Sequence, residues 1–241
     1  MFKALFRKLF TKGFTPARPA YDLWAGAYDD QPGNLMLYLD EQLFAAFLDK
    51  VDIHDKLVID VGCGTGRHWK KIMEKEPQQL VGYDVSEGML QILRSKFPQA
   101  ITHLLSGNQL SETADNAADL LISTLTMAHI KDAADAMKEW DRVIRPGADI
   151  FITDYHPSIL EKGGERTFRY DGKIVSVKNY VHSIEKIISI AKKLNWTRVE
   201  LTEKKVDEEL RPFYEKQNAL KVYEMYKGMP VIYGIHFKKE K

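Results

Sequence analysis

The sequence predicts an α/β fold in which helices cover both faces of a doubly wound, mainly parallel sheet. Two observations lead to this prediction. Short apolar runs alternate with helical stretches between residues 57 and 155, and this alternation is typical of strand–helix–strand units with right-handed crossovers. The first apolar run also leads straight into a cluster of glycines, as a strand does where it ends at a ligand-binding turn. We therefore expect a three-layer sandwich.

The chain begins with a basic amphipathic pattern. Its apolar residues fall at helical spacing and its basic residues take the other positions, namely Phe2, Leu5, Phe6, Leu9 and Phe10 against Lys3, Arg7, Lys8 and Lys12. We expect this helix to pack on the domain or on a second subunit; the alternative is a weak contact with an anionic membrane surface. A second helix is predicted over residues 35–50. Residues 1–50 are therefore assigned to an N-terminal helical segment or lid, and residues 51–241 to the main domain.

Five apolar runs in the central region predict successive strands. They are Leu57–Val61, Leu80–Asp84, Ile101–Leu105, Asp119–Thr124 and Ala148–Tyr155. Helices are expected between them, from the glycine cluster to about Lys75, from Ser86 to Phe97, and across residues 131–144. The last of these should stop before Pro146-Gly147, because proline and glycine end helices.

The C-terminal third of the chain does not continue the regular alternation of strands and helices. Asp171-Gly172 separates two strand-like stretches, which predicts a β-hairpin inserted at about residues 157–182. Beyond the hairpin we expect a helix over residues 183–194 and a strand over 197–205. A partly helical segment over 207–227 and a last strand over 231–239 should complete the chain.

Composition narrows the classes of function. The 241 residues include 35 Lys and Arg and 34 Asp and Glu. This balance shows no excess of positive charge of the kind that nucleic-acid-binding proteins have. Cys63 is the only cysteine, so a cysteine-rich zinc site is excluded, no metal is expected, and a reducing cytoplasmic setting fits. No apolar run is long enough to cross a bilayer, and basic residues interrupt any signal-peptide core. We expect an intracellular protein.

The glycine cluster carries the strongest functional signal. Gly62, Gly64 and Gly66 follow the first strand, and Asp84 ends the second strand about 20 residues later. Bare backbone lets a ligand approach closely, and a carboxylate at that distance suits the hydroxyls of a ribose. Arg67 stands where a dinucleotide-binding loop would have its third glycine. This departure favours a nucleoside ligand without a pyrophosphate and speaks against a nicotinamide-dependent oxidoreductase.

These residues resemble motifs of the class I S-adenosylmethionine-dependent methyltransferases. The likeness rests on Asp60-x-Gly62-x-Gly64-x-Gly66 and Asp84, and on Arg145-Pro146-Gly147 before the fifth strand. Upstream, Tyr21-Asp22-x-x-Ala25-x-x-Tyr28-Asp29 resembles the small-molecule branch related to quinone-ring methylation. The resemblance implies a Rossmann-like sheet of seven strands, mainly parallel with an antiparallel last strand. It also implies S-adenosyl-L-methionine as cofactor and S-adenosyl-L-homocysteine as product.

The resemblance further implies cofactor contacts. The backbone of Gly62, Cys63, Gly64 and Gly66 would line the methionine part, with Asp60 near its amino group, and Asp84 would hold the ribose. The other expected contacts are Val85 and Met89 on the adenine, Gly107, Asn108 and Gln109 after the third strand, Thr124 and Leu125 after the fourth, and Tyr21 and Tyr28 as a lid. Asn108 replaces an acid that is frequent in the family, and its amide oxygen can still accept a hydrogen bond.

Two histidines are candidate general bases. His129 follows the fourth strand and His156 follows the fifth, so both should lie on the ligand edge of the sheet. Each has a structural alternative, as a partner of nearby backbone or as part of the Pro157 turn. Aromatic residues of the predicted hairpin, Phe168, Tyr170 and Tyr180, are expected to line an acceptor pocket or to decorate the surface.

The predicted function is methyl transfer to a small molecule that is aromatic or lipid-like. One alternative is methylation of a protein or nucleic acid. The residues after the fourth strand, Ser123-Thr124-Leu125-Thr126, lack the Asn/Asp-Pro-Pro-Tyr pattern of base methylation. A second alternative is a module that binds the cofactor without catalysis.

Overall fold

A seven-stranded sheet forms the centre of the protein in the computed structural model, which describes residues 13–31 and 33–240. Its strands are β1 (Leu57–Val61), β2 (Gln79–Asp84), β3 (Ile101–Leu104), β4 (Ala118–Thr124), β5 (Ile144–Tyr155), β8 (Trp196–Lys205) and β9 (Pro230–Lys239), while β6 (Arg166–Tyr170) and β7 (Lys173–Val177) pair in a separate hairpin. The spatial order is β3-β2-β1-β4-β5-β9-β8. Strands β1 to β5 pair in parallel, and β9 runs antiparallel to both neighbours. The predicted fold class is confirmed.

Nine α-helices occur in the described part of the chain. They are α1 (Ala17–Trp24), α2 (Leu35–Leu48), α3 (Trp69–Met73), α4 (Glu87–Lys96), α5 (Ala133–Val143), α6 (Pro157–Glu161), α7 (Ile184–Lys193), α8 (Arg211–Lys216) and α9 (Leu220–Tyr226). Within the same residues, none of them combines the length and apolar character that crossing a membrane requires. The amphipathic helix predicted over residues 2–12 lies outside the described residues.

Strand β1 is apolar on both faces because the sheet has helices on both sides. Val58 belongs to a buried cluster that includes Phe44 of α2 and Trp69 of α3. Its neighbour Ile59 faces the opposite cluster, which includes Trp140 of α5. Alternate side chains of a strand point to opposite faces, so a strand in the middle of three layers needs apolar residues at nearly every position.

Two boundaries differ from the prediction. The helix after the glycine cluster begins only at Trp69, because Gly62, Gly64 and Gly66 all have positive φ angles and form turns instead. The Arg145-Pro146-Gly147 sequence lies inside β5 rather than in a turn before it. Gly147 takes a φ of +83°, and the pairing of β4 with β5 shifts register at this point. The change of register at Gly147 therefore forms a β-bulge within β5.

Helix α1 lies over the sheet edge, between α4 and the hairpin. A small buried cluster joins these elements, consisting of Ala20, Trp24, Ala25, Met89, Phe168 and Val177. The hairpin turns at Asp171-Gly172, where both residues have positive φ, as the sequence predicts. The division of the chain into a lid over residues 1–50 and a main domain stays a prediction.

Candidate functional site

A cavity of about 340 Å³ opens where β1, β2, β3 and β4 end. Its size falls in the range of small-molecule sites, and its position at the carboxyl ends of parallel strands is where such sheets bind ligands. Eleven of the predicted cofactor contacts line it, namely Tyr21, Tyr28, Gly62, Gly64, Asp84, Val85, Met89, Gly107, Asn108, Thr124 and Leu125. His129 lines it as well.

Gly62 and Gly64 of the loop lack a side chain for two different steric reasons. At Gly62, with φ of +77°, a Cβ atom would lie 2.0 Å from Thr126 Oγ1, so the protein itself excludes a side chain there. At Gly64, with φ of +52°, a Cβ would meet no atom of the described residues within 4 Å. Since Gly64 lines the cavity, this free space is cavity space. The backbone at Gly64 therefore forms a cradle that a side chain would fill.

Asp84 is held by backbone donors beside that cradle. Its Oδ2 accepts the N–H of Gly64 at 2.8 Å and its Oδ1 accepts the N–H of Ser86 at 2.8 Å. Ser86, not Asp84, caps α4, since its hydroxyl accepts the N–H of Met89. Burial raises the pKa of Asp84 to about 6, although the backbone N–H groups of Ser86 and Gly64 lower it.

The far end of the cavity is mostly apolar. Val85, Met89 and Trp140 contribute to its lining. The Asn108 amide donates to Asp135 Oδ2 at 2.8 Å. This contact orients the amide, so its carbonyl oxygen stays available as an acceptor.

Four predicted contact residues do not line the cavity. Asp60 is buried and accepts the indole N–H of Trp69 at 2.9 Å. The Cys63 thiol packs against Gly82, and a Cβ at Gly66 would face Leu93 of α4. Gln109 is exposed. In this structure the first three hold the loop on the sheet and on α4.

Two carboxylates connect α1 and the residues after it to the start of α4 and to the glycine loop. Asp22 accepts from the Ser86 hydroxyl at 2.6 Å and from the N–H of Gly88 at 3.1 Å. Asp29 accepts from the Thr65 hydroxyl at 2.6 Å. A Cβ at Gly88 would lie 3.3 Å from the Asp22 backbone, so glycine permits this close approach of α1 to α4. These contacts explain why acids follow both tyrosines in the upstream motif.

His129 takes part in a buried network at the α1 side of the cavity. Its Nδ1 faces the carbonyl oxygen of Lys178 at 3.1 Å, which places the ring proton on Nδ1. Its Nε2 therefore accepts, from the Tyr21 hydroxyl at 2.8 Å and from Arg166 Nη1. Burial lowers the pKa of His129 and the Arg166 guanidinium lowers it further, so the ring is neutral and reluctant to take a proton.

The structure does not bring His156 into the cavity. Its Nε2 contacts Glu203 Oε1 at 2.7 Å, and its Nδ1 contacts the Ser158 hydroxyl at 2.7 Å. His156 also caps α6, since it accepts the N–H of Ser158. The ring thus connects β8 with the start of α6, as the structural alternative for the Pro157 turn anticipates.

Sequence reasoning missed Arg166, which is only 4% exposed. Its Nη2 donates to Asp154 Oδ1 at 2.8 Å and its Nη1 donates to the carbonyl oxygen of Leu125 at 2.6 Å. One sequence signal was available. Arg166 alternates with Phe168 along β6, and both are buried while Thr167 and Arg169 are exposed.

Leu125 itself has an unusual backbone. Its φ is +53°, which is strained for a side chain of this size. Its N–H donates to the carbonyl oxygen of Thr153 at 2.9 Å while its own carbonyl oxygen faces Arg166. Strain of this kind persists where surrounding contacts hold it, and it clusters at functional sites.

Comparisons with known proteins agree with this geometry. Residues 59–152 match the family model described as a methyltransferase domain. An uncharacterized methyltransferase of Emericella nidulans is 26% identical, across 79% of this chain and 81% of that protein. A ubiquinone/menaquinone biosynthesis C-methyltransferase of Campylobacter jejuni is 28% identical across 56% of this chain, which spans only 57% of that relative. A solved structure from Listeria monocytogenes, described as an S-adenosylmethionine-dependent methyltransferase, superposes with a TM-score of 0.64 at 17% identity, covering 83% of this chain and 100% of its own.

Proposed function

Because the chain belongs to the class I S-adenosylmethionine-dependent methyltransferases, we propose that it methylates a small molecule that is aromatic or lipid-like. The observation that carries this proposal is the cavity that joins the bare Gly64 backbone to Tyr21 of α1 and to Tyr28, which follows α1. Tyr21 and Tyr28 line it together with Leu125, and such a lining suits a planar or greasy acceptor. The relative named for quinone biosynthesis also supports this acceptor class.

The residues of the cavity fit the cofactor, S-adenosylmethionine. A Cβ at Gly64 would occupy cavity space, so bare backbone is what the methionine part requires there. Asp84 would accept the two ribose hydroxyls, and the Asn108 carbonyl oxygen would accept the adenine amino group. Val85 and Met89 would pack on the adenine ring.

The protein's task in this reaction is alignment and exclusion of water. S-adenosylmethionine supplies an electrophilic methyl group when bound, so the acceptor needs positioning for attack. Tyr21 and Tyr28 would cover the methyl group with aromatic faces, which attract a sulfonium. Asp22 holds the segment that carries these tyrosines against the start of α4, and Asp29 holds it against the loop; this closure would keep water out.

Calorimetry followed by an acceptor screen tests the proposal. We expect S-adenosylhomocysteine to bind with a dissociation constant in the micromolar range and NAD to show no binding at the same concentrations. Cofactor with an isotopically labelled methyl group should then label a small molecule in a metabolite extract. Tight NAD binding without S-adenosylhomocysteine binding would refute the proposed cofactor. Label that appears only in protein or nucleic acid would refute the proposed acceptor.

Cofactor affinity should depend on pH through Asp84. The ionised carboxylate is the better acceptor for two hydroxyls, and Asp84 is ionised only above its pKa of about 6. We expect the affinity for S-adenosylhomocysteine to fall by roughly tenfold between pH 7.5 and pH 5. Titration calorimetry across this range measures the effect. Asp84→Asn is the matched control: it should bind weakly at every pH, and an equally steep pH dependence in that variant would assign the effect to another group.

A further inference from the structure

A second, very small cavity adjoins the main one. Its volume is about 10 Å³, and Tyr21, Tyr28 and Leu125 line both cavities. The remaining lining residues are Trp24, Asn34, Leu37, Tyr155 and Arg166. A space of this size holds about one water-sized group. We call this space the side pocket.

Arg166 is one of the residues that line the side pocket, and its guanidinium has one unused donor. Its two terminal nitrogens have partners, Asp154 on one and Leu125 and His129 on the other. Its Nε is buried and has no hydrogen-bond partner among residues 13–31 and 33–240. A buried charged donor without a partner destabilises the folded protein. We therefore expect a bound ligand or a water molecule to supply the missing acceptor.

The groups around Arg166 favour an oxygen as that partner. The guanidinium lies 4.4 Å from the centre of the Tyr155 ring and forms an ion pair with Asp154. Asp154 already accepts the N–H groups of Ala128 and Tyr155. The Tyr21 hydroxyl is 3.1 Å from Nη1. The Asp154 carboxylate therefore already has its hydrogen-bond partners. Arg166 Nε remains a donor on a charged group, and an ionised oxygen is the acceptor that binds such a donor most strongly.

His129 does not compete for the role of activating the acceptor. Its Nε2 already faces the Tyr21 hydroxyl and Arg166, and a proton placed there would bring two cations together. If the methyl acceptor must lose a proton, a site that stabilises the resulting anion therefore favours the reaction more than His129 acting as a base.

We propose that the side pocket is an oxyanion subsite of the acceptor, in which Arg166 Nε donates a hydrogen bond to an ionised oxygen. The inference rests on the proposed methyl transfer and names its substrate class as phenols, enols or carboxylic acids rather than amines. The acceptor loses its acidic proton to water as it binds. Its oxygen, or the carbon conjugated to that oxygen, then attacks the methyl carbon, and the electron pair of the broken carbon–sulfur bond stays on sulfur. Tyr21, Tyr28 and Leu125 hold the rest of the acceptor in the main cavity.

A chromogenic phenol tests the subsite without turnover. We expect 4-nitrophenol to bind to the protein loaded with S-adenosylhomocysteine, with its absorbance showing the phenolate at a pH about one unit lower than in water. Arg166→Lys keeps a charge beside Asp154 but loses Nε, and it should bind the phenolate at least about tenfold more weakly. The double variant Arg166→Gln/Asp154→Asn removes both charges and should lose the shift.

Arg169→Lys is the matched control, because Arg169 is exposed on the same strand, and it should behave like the wild type. Each variant is assayed at a concentration of S-adenosylhomocysteine that saturates it, and circular dichroism shows that each variant is folded. Absence of phenolate binding to the wild type, or equal binding by the Arg166 variants, would mean that the side pocket holds only water and would overturn the inference. Failure of the wild type to bind S-adenosylhomocysteine would instead refute the proposed function.

Turnover gives a second, independent readout. Phenols, 1,3-diketones and carboxylic acids are offered with labelled cofactor beside their uncharged methyl ethers or esters and beside primary amines. We expect label only in the acidic members, with kcat/KM at least tenfold lower in Arg166→Lys. Labelling of amines alone, or of no acidic compound at all, would overturn the inference.

Discussion

Gly64→Val is expected to lower the affinity for S-adenosylhomocysteine by about a hundredfold or more while the protein stays folded. Within the part of the chain that the structure describes, a Cβ at this position meets no atom within 4 Å, and it enters the cavity. The isopropyl group would therefore clash with the ligand and not with the protein. The positive φ of +52° adds backbone strain, because a β-branched residue rarely adopts it. Calorimetry gives the affinity, and circular dichroism with thermal melting gives the folded fraction and the stability.

Gly172→Val separates strain from obstruction. Gly172 also has a positive φ, of +70°, and free space around its Cβ position, but it lies in the hairpin turn outside the cavity. We expect this variant to lose a similar amount of stability and to keep its affinity. Normal binding by Gly64→Val, or equal loss of binding by both variants, would show that the loop does not contact the ligand.

Asp84→Ala is expected to weaken cofactor binding by about 1–3 kcal/mol, the range of a lost charged hydrogen bond. The carboxylate has its Oδ2 on the Gly64 N–H, so the variant also frees the loop that must lie along the ligand. The loss of affinity should come with a less ordered loop, which hydrogen exchange at Gly64 can detect.

Asp132→Ala is the matched control for Asp84→Ala. Asp132 also accepts two backbone N–H groups, those of Ala134 and Asp135, but it caps α5 and does not line the cavity. This variant should cost about 1 kcal/mol of stability through the lost cap and leave affinity unchanged. Unchanged affinity in Asp84→Ala would remove Asp84 from the site.

Much of the cavity at the ends of β1 and β2 could be predicted because it is built from residues close together in the sequence. Strand β1, the glycine cluster and Asp84 lie within 28 residues, from Leu57 to Asp84, and each has a backbone requirement that few residue types meet. The members of the motif that face away from the cavity, into the protein, are the exception. Asp60, Cys63 and Gly66 share its spacing, yet they pack on Trp69, Gly82 and α4. Spacing alone does not tell which side of a loop a residue faces.

The sequence by itself determined the layered sheet and the glycine loop with its partner acid, since these follow from the periodicity of apolar residues and from backbone sterics. Only the tertiary structure decided the α1 side of the site. Arg166 meets Tyr21 across 145 positions of the chain and His129 across 37. No local pattern encodes which donor reaches which acceptor over such separations, because the packing of the hairpin and α1 on the sheet decides it. That packing turned a candidate base into a neutral hydrogen-bond acceptor and left one arginine donor without a partner.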